Sequence, residues 1–377
     1  MRAWLLTASL VLAATPVSAQ RSGMREARFA HDAVALGDGR VLVAGGRSGD
    51  GAHASAEIFE GGRWRAIASL GTPRAGASLT QLADGRVLAI GGHDRTTWWA
   101  TAEVWDPATD RWSPIAPMHQ ARAYHAAVRL PDGRVLVAGG TDGDTALACA
   151  ETWSPETGAW TPTAPMSGPR RGDSVALLGD GRVLVAGAGY GDLRADDLDL
   201  YDPQRDTWRA IRGPLGALEA VVALPDGRAL VLGHGEPSRY VADSRDARAA
   251  LWDPATEQWS DAGSAGPAPW SRHASVVALP DGRVVVAGGT RWVFPSAAAA
   301  ERAYAEACEG VHVPMLSVRD VLVWSAGRWS RGPALRQPRV GAAAARLHGR
   351  TVLLTGGEHY HYGGSGLVRR SVEVVSP

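Results

Sequence analysis

The chain is built on one recurring order of small, apolar and turn-forming residues. A short run of small and apolar residues at 125–130 leads into Asp132-Gly133, an apolar stretch follows at 135–138, and Gly139-Gly140 ends it. Asp-Gly favours a tight hairpin turn because glycine tolerates positive φ. An apolar stretch without polar alternation is typical of a strand buried on both faces. The pattern predicts a pair of antiparallel strands, of which the second is buried on both faces.

Two further strands follow in each unit. In the same copy they are a third strand at 150–153, a turn at 154–158 and a fourth strand that begins at Trp160. The third strand carries an aromatic residue in six copies, namely Phe59, Trp105, Trp153, Tyr201, Trp252 and Trp324. The fourth strand carries a tryptophan in six copies, namely Trp64, Trp112, Trp160, Trp208, Trp259 and Trp329.

The unit occurs seven times. Its turn glycine is Gly39, Gly85, Gly133, Gly181, Gly227, Gly282 and Gly349, at spacings of 46, 48, 48, 46, 55 and 67 residues. Four strands per unit and a period near 47 indicate a β-propeller blade. We therefore expect one all-β, seven-bladed domain over residues 20–377, with four-stranded blades. The expected blades are 28–67, 74–116, 122–166, 170–214, 217–265, 272–333, and 339–377 together with 20–24.

The glycine pair after the second strand, the downstream tryptophan and the Asp-Gly-Arg-Val-Leu-Val form resemble the kelch repeats of bacterial proteins. The resemblance covers residues 24–377 and implies a galactose oxidase/kelch-type propeller. Kelch propellers include binders, scaffolds and enzymes, so the fold alone does not define the activity.

Both ends of the chain carry signals of their own. Residues 1–19 combine Arg2, an apolar run and small residues before Gln20, which is typical of a cleaved signal peptide. We expect an exported, periplasmic or secreted protein without a lipid anchor or membrane-spanning segment. Met24 stands four residues before Arg28, as Met118 stands before Arg122. The mature N-terminus is therefore predicted to add a short outer strand to blade seven and close the ring.

Composition narrows the function classes. The 39 basic and 39 acidic residues balance, which excludes a general nucleic-acid binder, and the 45% apolar content excludes a disordered chain. There is no lysine and no asparagine, which excludes Schiff-base chemistry and N-glycosylation. The two cysteines, Cys149 and Cys308, either pair in one disulfide, which export would permit, or remain free thiols.

Arginines recur where the first strand of a blade begins. They are Arg28, Arg74, Arg122, Arg170, Arg272 and Arg339. In some kelch binders of acidic peptides, arginine at this position lines the ligand mouth, and guanidinium groups bind carboxylates bidentately. The alternative is that each arginine only braces a neighbouring blade.

Histidine and tyrosine residues lie near the same predicted level. They are His31, Tyr124, His125 and His273. The segment 122–135 resembles a copper-ligand strand of galactose oxidase. That family also needs a thioether-forming cysteine at a strand-one start, a second tyrosine and another histidine ligand, and neither Cys149 nor Cys308 is at a strand-one start. A copper-radical oxidase is therefore the least favoured hypothesis.

The loops after the second strands contain further candidates. Blade two has His93, Arg95 and Trp98-Trp99, blade five has His234, Glu236 and Arg239, and blade seven has His359 and His361. The last pair would point the same way in an extended loop, as metal ligands or as part of a contact loop. Residues 297–308, inside the blade-six insertion 290–320, predict a helix of about three turns.

Two functions compete. The regular repeats and the absence of a complete catalytic constellation favour a monomeric binding or scaffold module without a cofactor. Its ligand would be a carbohydrate, peptide or protein with acidic character, bound on the loop face. The alternative is a sugar-acting enzyme, because 235–239 resembles a loop of the periplasmic sialic-acid mutarotases. That resemblance implies that Glu236 handles the proton and Arg239 holds the carboxylate.

Overall fold

In this computed structural model the described residues are 23–170, 174–187, 197–215, 217–234, 246–267, 273–292, 315–359 and 367–377. They form seven antiparallel blades and contain strands but no helix. The prediction of an all-β, seven-bladed propeller is confirmed. Residues 297–308, the predicted helix, lie outside the described residues.

Blades one to three each contain four strands in chain order from the inside outward, and blade one has an extra short strand, β3 (Gly51–Ala52), beside β2. The strands are β1 (Phe29–Ala35), β2 (Val41–Ser48), β4 (Ala56–Glu60) and β5 (Arg63–Ile67); β6 (Ser78–Gln81), β7 (Val87–Ile90), β8 (Ala102–Asp106) and β9 (Arg111–Ile115); and β10 (Ala126–Arg129), β11 (Val135–Ala138), β12 (Ala150–Trp153) and β13 (Trp160–Pro162).

Blades four to six repeat this order. Their strands are β14 (Ser174–Leu177), β15 (Val183–Ala186), β16 (Asp197–Asp202) and β17 (Thr207–Arg212); β18 (Ala217–Ala223), β19 (Ala229–His234), β20 (Asp246–Asp253) and β21 (Gln258–Pro267); and β22 (Ser275–Ala278), β23 (Val284–Ala287), β26 (Val321–Ser325) and β27 (Arg328–Arg331). A two-stranded ribbon, β24 (Thr290–Trp292) with β25 (Met315–Ser317), forms the base of the blade-six insertion.

Blade seven has three strands among the described residues, β28 (Ala343–Arg346), β29 (Val352–Thr355) and β32 (Val372–Val375). A short ribbon, β30 (Glu358–His359) with β31 (Leu367–Val368), extends its loop. The N-terminal segment contacts this blade, because the N–H of Met24 donates to the carbonyl of Arg370 at 2.9 Å and that of Arg28 to Arg369 at 3.1 Å.

The same two bonds occur where the chain passes from one blade to the next. In blade three, for example, Met118 donates to Ala100 and Arg122 to Trp99. Residues 23–28 therefore occupy the place of a connector, and Met24 is buried at 2% exposure. The predicted ring closure by the N-terminal segment is confirmed for these residues, although they form a connector rather than a strand. Residues 20–22 lie outside the described residues.

The core lies between the blades. The second strands are wholly buried, as at 41–44 and 87–90, because neighbouring blades cover both of their faces. The outer tryptophans tie adjacent blades together. The indole N–H of Trp112 donates to the carbonyl of Ala68 at 2.9 Å, and that of Trp160 donates to Ala116 at 2.8 Å. The repeated tryptophans are thus structural.

Among the described residues, no helix is long and apolar enough to cross a membrane.

Candidate ligand-binding face

The antiparallel order gives the ring two different ends. The turns between first and second strands lie at one end, which we call the turn face. The loops after second strands and the connectors between blades lie at the other, which we call the loop face. Among the described residues, the arginine, histidine and tyrosine residues singled out in the sequence belong to the loop face.

The arginines at the strand-one starts are inside the fold. Arg74 is 1% exposed, and its Nη1 donates to the carbonyl oxygens of Gly91 at 2.7 Å and Thr101 at 2.8 Å. Its Nη2 donates to a carboxylate oxygen of Glu103 at 3.0 Å. We call this arrangement the arginine clasp. Four other blades contain it, as Arg28 with Glu57, Arg122 with Glu151, Arg170 with Asp199, and Arg339 with Glu373.

The carboxylate of each clasp also holds the preceding connector. Glu103 accepts the N–H of Gly71 at 2.7 Å and that of Thr72 at 3.2 Å. In blade five both halves of the clasp are missing, because it has no arginine at this position and the carboxylate position is Ala250. The structure therefore shows the bracing arrangement for the five described arginines, each of which donates from Nη1 to internal carbonyl oxygens. Nε of Arg28 and of Arg122 has no described hydrogen-bond partner.

One clasp contains a thiol. Cys149 occupies the position that Ser55 and Thr101 hold in the two preceding blades, and its Sγ lies 3.3 Å from Nη2 of Arg122. Its thiol is free in this structure. Cys308 lies outside the described residues, so the bridge between the two cysteines stays a prediction.

Two of the histidines singled out in the sequence are packed between neighbouring blades. Nε2 of His125 is hydrogen-bonded to Oγ of Ser78 at 2.8 Å, and Nε2 of His31 to Oγ1 of Thr355 at 2.8 Å. Burial, reinforced by the positive charge of Arg122, lowers the pKa of His125 to about 3. Burial likewise holds the pKa of His31 well below its ordinary value. Both rings are therefore neutral parts of the blade interface at physiological pH.

Tyr124 is placed differently, because its backbone adopts a left-handed conformation at φ 53°. Its N–H donates to the carbonyl of Gly76 at 2.8 Å, and Gly76 donates in turn to Ala30. The phenol ring lies over Gly76, where a Cβ atom would come within 2.9 Å of it. His273 has the same conformation in blade six, with an exposed side chain.

Tyr124 belongs to a cluster that the sequence did not assign as a unit. The ring of His93 stacks on Trp98 with centroids 5.4 Å apart and planes 12° apart, and lies 5.5 Å from the ring of Tyr124. Trp98 rests against Gly143 of blade three. We call His93, Trp98 and Tyr124 the aromatic cluster. His93 is buried, whereas Trp98 and Tyr124 are half-buried and lie at the surface of the loop face.

Hydrogen bonds define the tautomer of His93. Its Nδ1 accepts the N–H of Arg95 at 3.1 Å, so Nε2 carries the proton and donates to the hydroxyl oxygen of Tyr124 at 3.1 Å. The phenol accepts in that bond, which makes its own O–H a donor. Guanidinium groups lie in the same loops. Arg95 is exposed, and Arg47 lies over the ring of Phe29 at 4.5 Å.

The remaining predicted residues are only partly described. The backbones of His234 and His359 end strands β19 and β30, and nothing more is described of their side chains. Glu236, Arg239, Arg272 and His361 lie outside the described residues. Within the described ranges no group of three or more His, Cys, Asp or Glu side chains could hold a metal ion.

The described residues do not form a copper site of the galactose oxidase type. His125 is buried against Ser78, and the hydroxyl of Tyr124 is bonded to His93. Cys149 lies in a clasp rather than beside a tyrosine.

Comparisons with known proteins agree with the architecture. A sequence profile of the Kelch motif matches residues 74–119 and 122–167, which are blades two and three. These matches cover two of the seven blades and, together with the seven-bladed structure, support a kelch-repeat β-propeller. No curated protein sequence matches the chain significantly.

Solved structures share the fold at low sequence identity. A fungal alcohol oxidase of the AA5 family, in complex with copper, superposes with a TM-score of 0.65 and 17% identity, covering 93% of this chain and 74% of that one. The structure of YjhT superposes with a TM-score of 0.55 and 14% identity, covering 94% and 99%. At these identities the likeness concerns the fold alone.

Proposed function

We propose that this protein is an exported binding module that recognises a carbohydrate or peptide ligand with the loop face of blades one to three. The observation that carries this proposal is the aromatic cluster. Trp98 stacks on His93, and the ring of Tyr124 is tilted against it. Each of the two half-buried aromatic rings also lies close to a glycine.

The chemistry of the cluster suits such a ligand. Indole and phenol faces pack against sugar C–H groups or apolar peptide side chains at a low cost in side-chain entropy. Arg95, exposed in the same loop, would favour a ligand with a carboxylate.

The experiment is a glycan and peptide array screen of the purified protein, followed by calorimetric titration with the best ligand. Trp98→Ala should weaken binding by about tenfold or more, as expected for an aromatic residue at the centre of an interface. The matched control is Trp64→Ala, which removes an indole from the outer strand of blade one. Equal loss of affinity in both variants, or binding unchanged by Trp98→Ala, would remove the proposal.

The mutarotase-like alternative depends on Glu236 and Arg239 and stays a prediction. Its own test is sialic-acid anomer exchange measured by NMR, which Glu236→Gln would abolish.

A further inference from the structure

A buried carboxylate on the loop face has no partner among the described residues. It belongs to Glu358, which begins the short ribbon of blade seven and is 9% exposed. Its side chain makes no hydrogen bond or ion pair with any other described residue. Its oxygens are not among the fully enclosed polar atoms that lack a partner, so solvent still reaches them. Burying a carboxylate without a partner is costly, and such a group is therefore a candidate for binding.

The backbone fixes the place of this side chain in the ring. Glu358 exchanges two backbone hydrogen bonds with Val340, which starts the first strand of its own blade, at 2.9 and 3.0 Å. The N–H of the preceding residue, Gly357, donates to the carbonyl of Arg28 in blade one at 3.0 Å. The carboxylate therefore belongs to the junction of blades seven and one, at the first-strand starts of both.

Blade two shows how a polar residue at this position is satisfied elsewhere. There His93 follows the glycine pair, and its ring is hydrogen-bonded at 3.1 Å to Tyr124, two residues after the clasp arginine of blade three. The counterpart two residues after the clasp arginine of blade one is Ala30. Ala30 has the same left-handed backbone, at φ 50°, but only a methyl group. The repeat thus places no polar side chain opposite Glu358.

The arginines of blade one at this end of the ring are engaged with other groups. Arg28 is buried in its clasp, where Nη2 pairs with Glu57 at 3.0 Å. The guanidinium of Arg47 lies over the ring of Phe29 at 4.5 Å. Neither forms an ion pair with Glu358. No described cation compensates this carboxylate.

We propose that Glu358 is the base of a binding site for an organic ammonium group, on the loop face between blades seven and one. A primary ammonium group carries a positive charge and three N–H donors, and a carboxylate accepts such charge-assisted hydrogen bonds. Amino sugars and peptide N-termini both carry this group. The site does not depend on the proposed function of the aromatic cluster, so each can fail alone.

The probes are glucosamine and alanyl-alaninamide, each compared with its N-acetyl derivative, in saturation-transfer NMR and calorimetric titration of the purified protein. At least one free amine should bind, and its N-acetyl derivative should bind about tenfold more weakly, because acetylation removes the charge-assisted bond. The amine that binds more tightly identifies the source of the ammonium group. Equal affinities of amine and N-acetyl derivative, or no binding of either amine at millimolar concentration, would overturn the proposal.

Two substitutions test the residue itself. Glu358→Gln should reduce the affinity for the amine by about tenfold without changing that for the N-acetyl derivative. It should not lower the free energy of unfolding, because it removes an unpaired buried charge. A loss of stability would mean that the carboxylate has a structural partner, and the proposal would be wrong. Ala30→Tyr introduces the phenol that blade three has at this position, in a backbone conformation that Tyr124 already adopts, and should abolish amine binding.

The chain supplies a matched control in Glu60. This residue ends the third strand of blade one and is exposed, so it resembles Glu358 in charge but not in burial. Glu60→Gln should therefore leave amine binding unchanged. Equal effects of the two glutamate substitutions would show that the amine responds only to overall charge, which contradicts the proposal. Thermal unfolding of every variant separates lost binding from lost folding.

Discussion

Replacing the buried carboxylate of an arginine clasp should greatly lower the stability of the protein. In blade two, Nε and Nη2 of Arg74 both donate to Glu103, and the two side chains are 1% and 6% exposed. Glu103→Ala would leave the guanidinium charge buried without its counter-ion. Removing one partner of a buried ion pair costs about 3–5 kcal/mol. The two connector N–H groups that Glu103 accepts are only partly buried, so water would replace much of that contribution.

The assay is urea unfolding followed by tryptophan fluorescence. An exposed pair in the same blade provides the control, because Arg86 and Asp84 form a hydrogen-bonded ion pair at 2.7 Å with side chains 39% and 51% exposed. Asp84→Ala should cost no more than about 1 kcal/mol. If the two substitutions shift the free energy of unfolding equally, the clasp is not a buried ion pair in solution and the reasoning is wrong.

The clasp can also be removed as a unit. The double variant Arg74→Met with Glu103→Leu should cost less than the sum of the two single changes, with a coupling of about 1–3 kcal/mol. Blades five and six show that a blade can form without the carboxylate, since its positions there are Ala250 and Leu322. Additive single effects would contradict this explanation.

Three further predictions concern the blade interfaces. Because burial holds the pKa of His125 near 3 while the unfolded ring titrates near 6.5, its contribution to stability is complete above pH 6.5 and falls by about 1.4 kcal/mol per pH unit below it. His31, whose pKa burial also lowers, adds a loss of its own. His125→Gln should therefore reduce the loss of unfolding free energy between pH 7 and pH 5 by about 2 kcal/mol relative to the unchanged protein, and an unchanged pH dependence would contradict this. Gly91→Ala should destabilise much more than Gly85→Ala, although both have positive φ, because only at Gly91 would the new Cβ lie 2.3 Å from a backbone oxygen, that of Arg122; calorimetry showing equal melting points would refute this. Met24→Ala should cost about 2–5 kcal/mol if the N-terminal segment closes the ring as described, and a neutral effect in urea unfolding would show that it does not.

The architecture could be predicted almost completely from the sequence. Most blades are specified locally, by an Asp-Gly turn, an apolar central strand and a glycine pair, and the turn glycine recurs seven times. The register of Met24 with Met118 even predicted which residues close the ring. The sequence did not show that the closing segment is a connector and not a strand, because this depends on the blade that the segment meets.

The candidate site was predictable only in part. Sequence position predicted that the arginines lie at the strand-one starts and that the loops share one face, and the described residues agree with both predictions. Sequence position alone could not distinguish an arginine whose guanidinium lines the ligand mouth from one whose guanidinium is buried, because burial depends on the partner that the side chain meets across the blade. The recurrence of Glu or Asp two residues before the third-strand aromatic, as at Glu57, Glu103 and Glu151, was a usable signal for the clasp.

The sequence by itself determined the repeat, the strand order and the face on which unusual residues gather, since these follow from short-range patterns and from one unit copied along the chain. Only the tertiary structure decided which of those residues reach the surface. Adjacent blades bury His31 and His125 and fill the arginine clasps, whereas contacts between blades two and three bring Trp98, His93 and Tyr124 together at the surface. Both outcomes depend on packing between residues distant along the chain, and no local pattern encodes that packing.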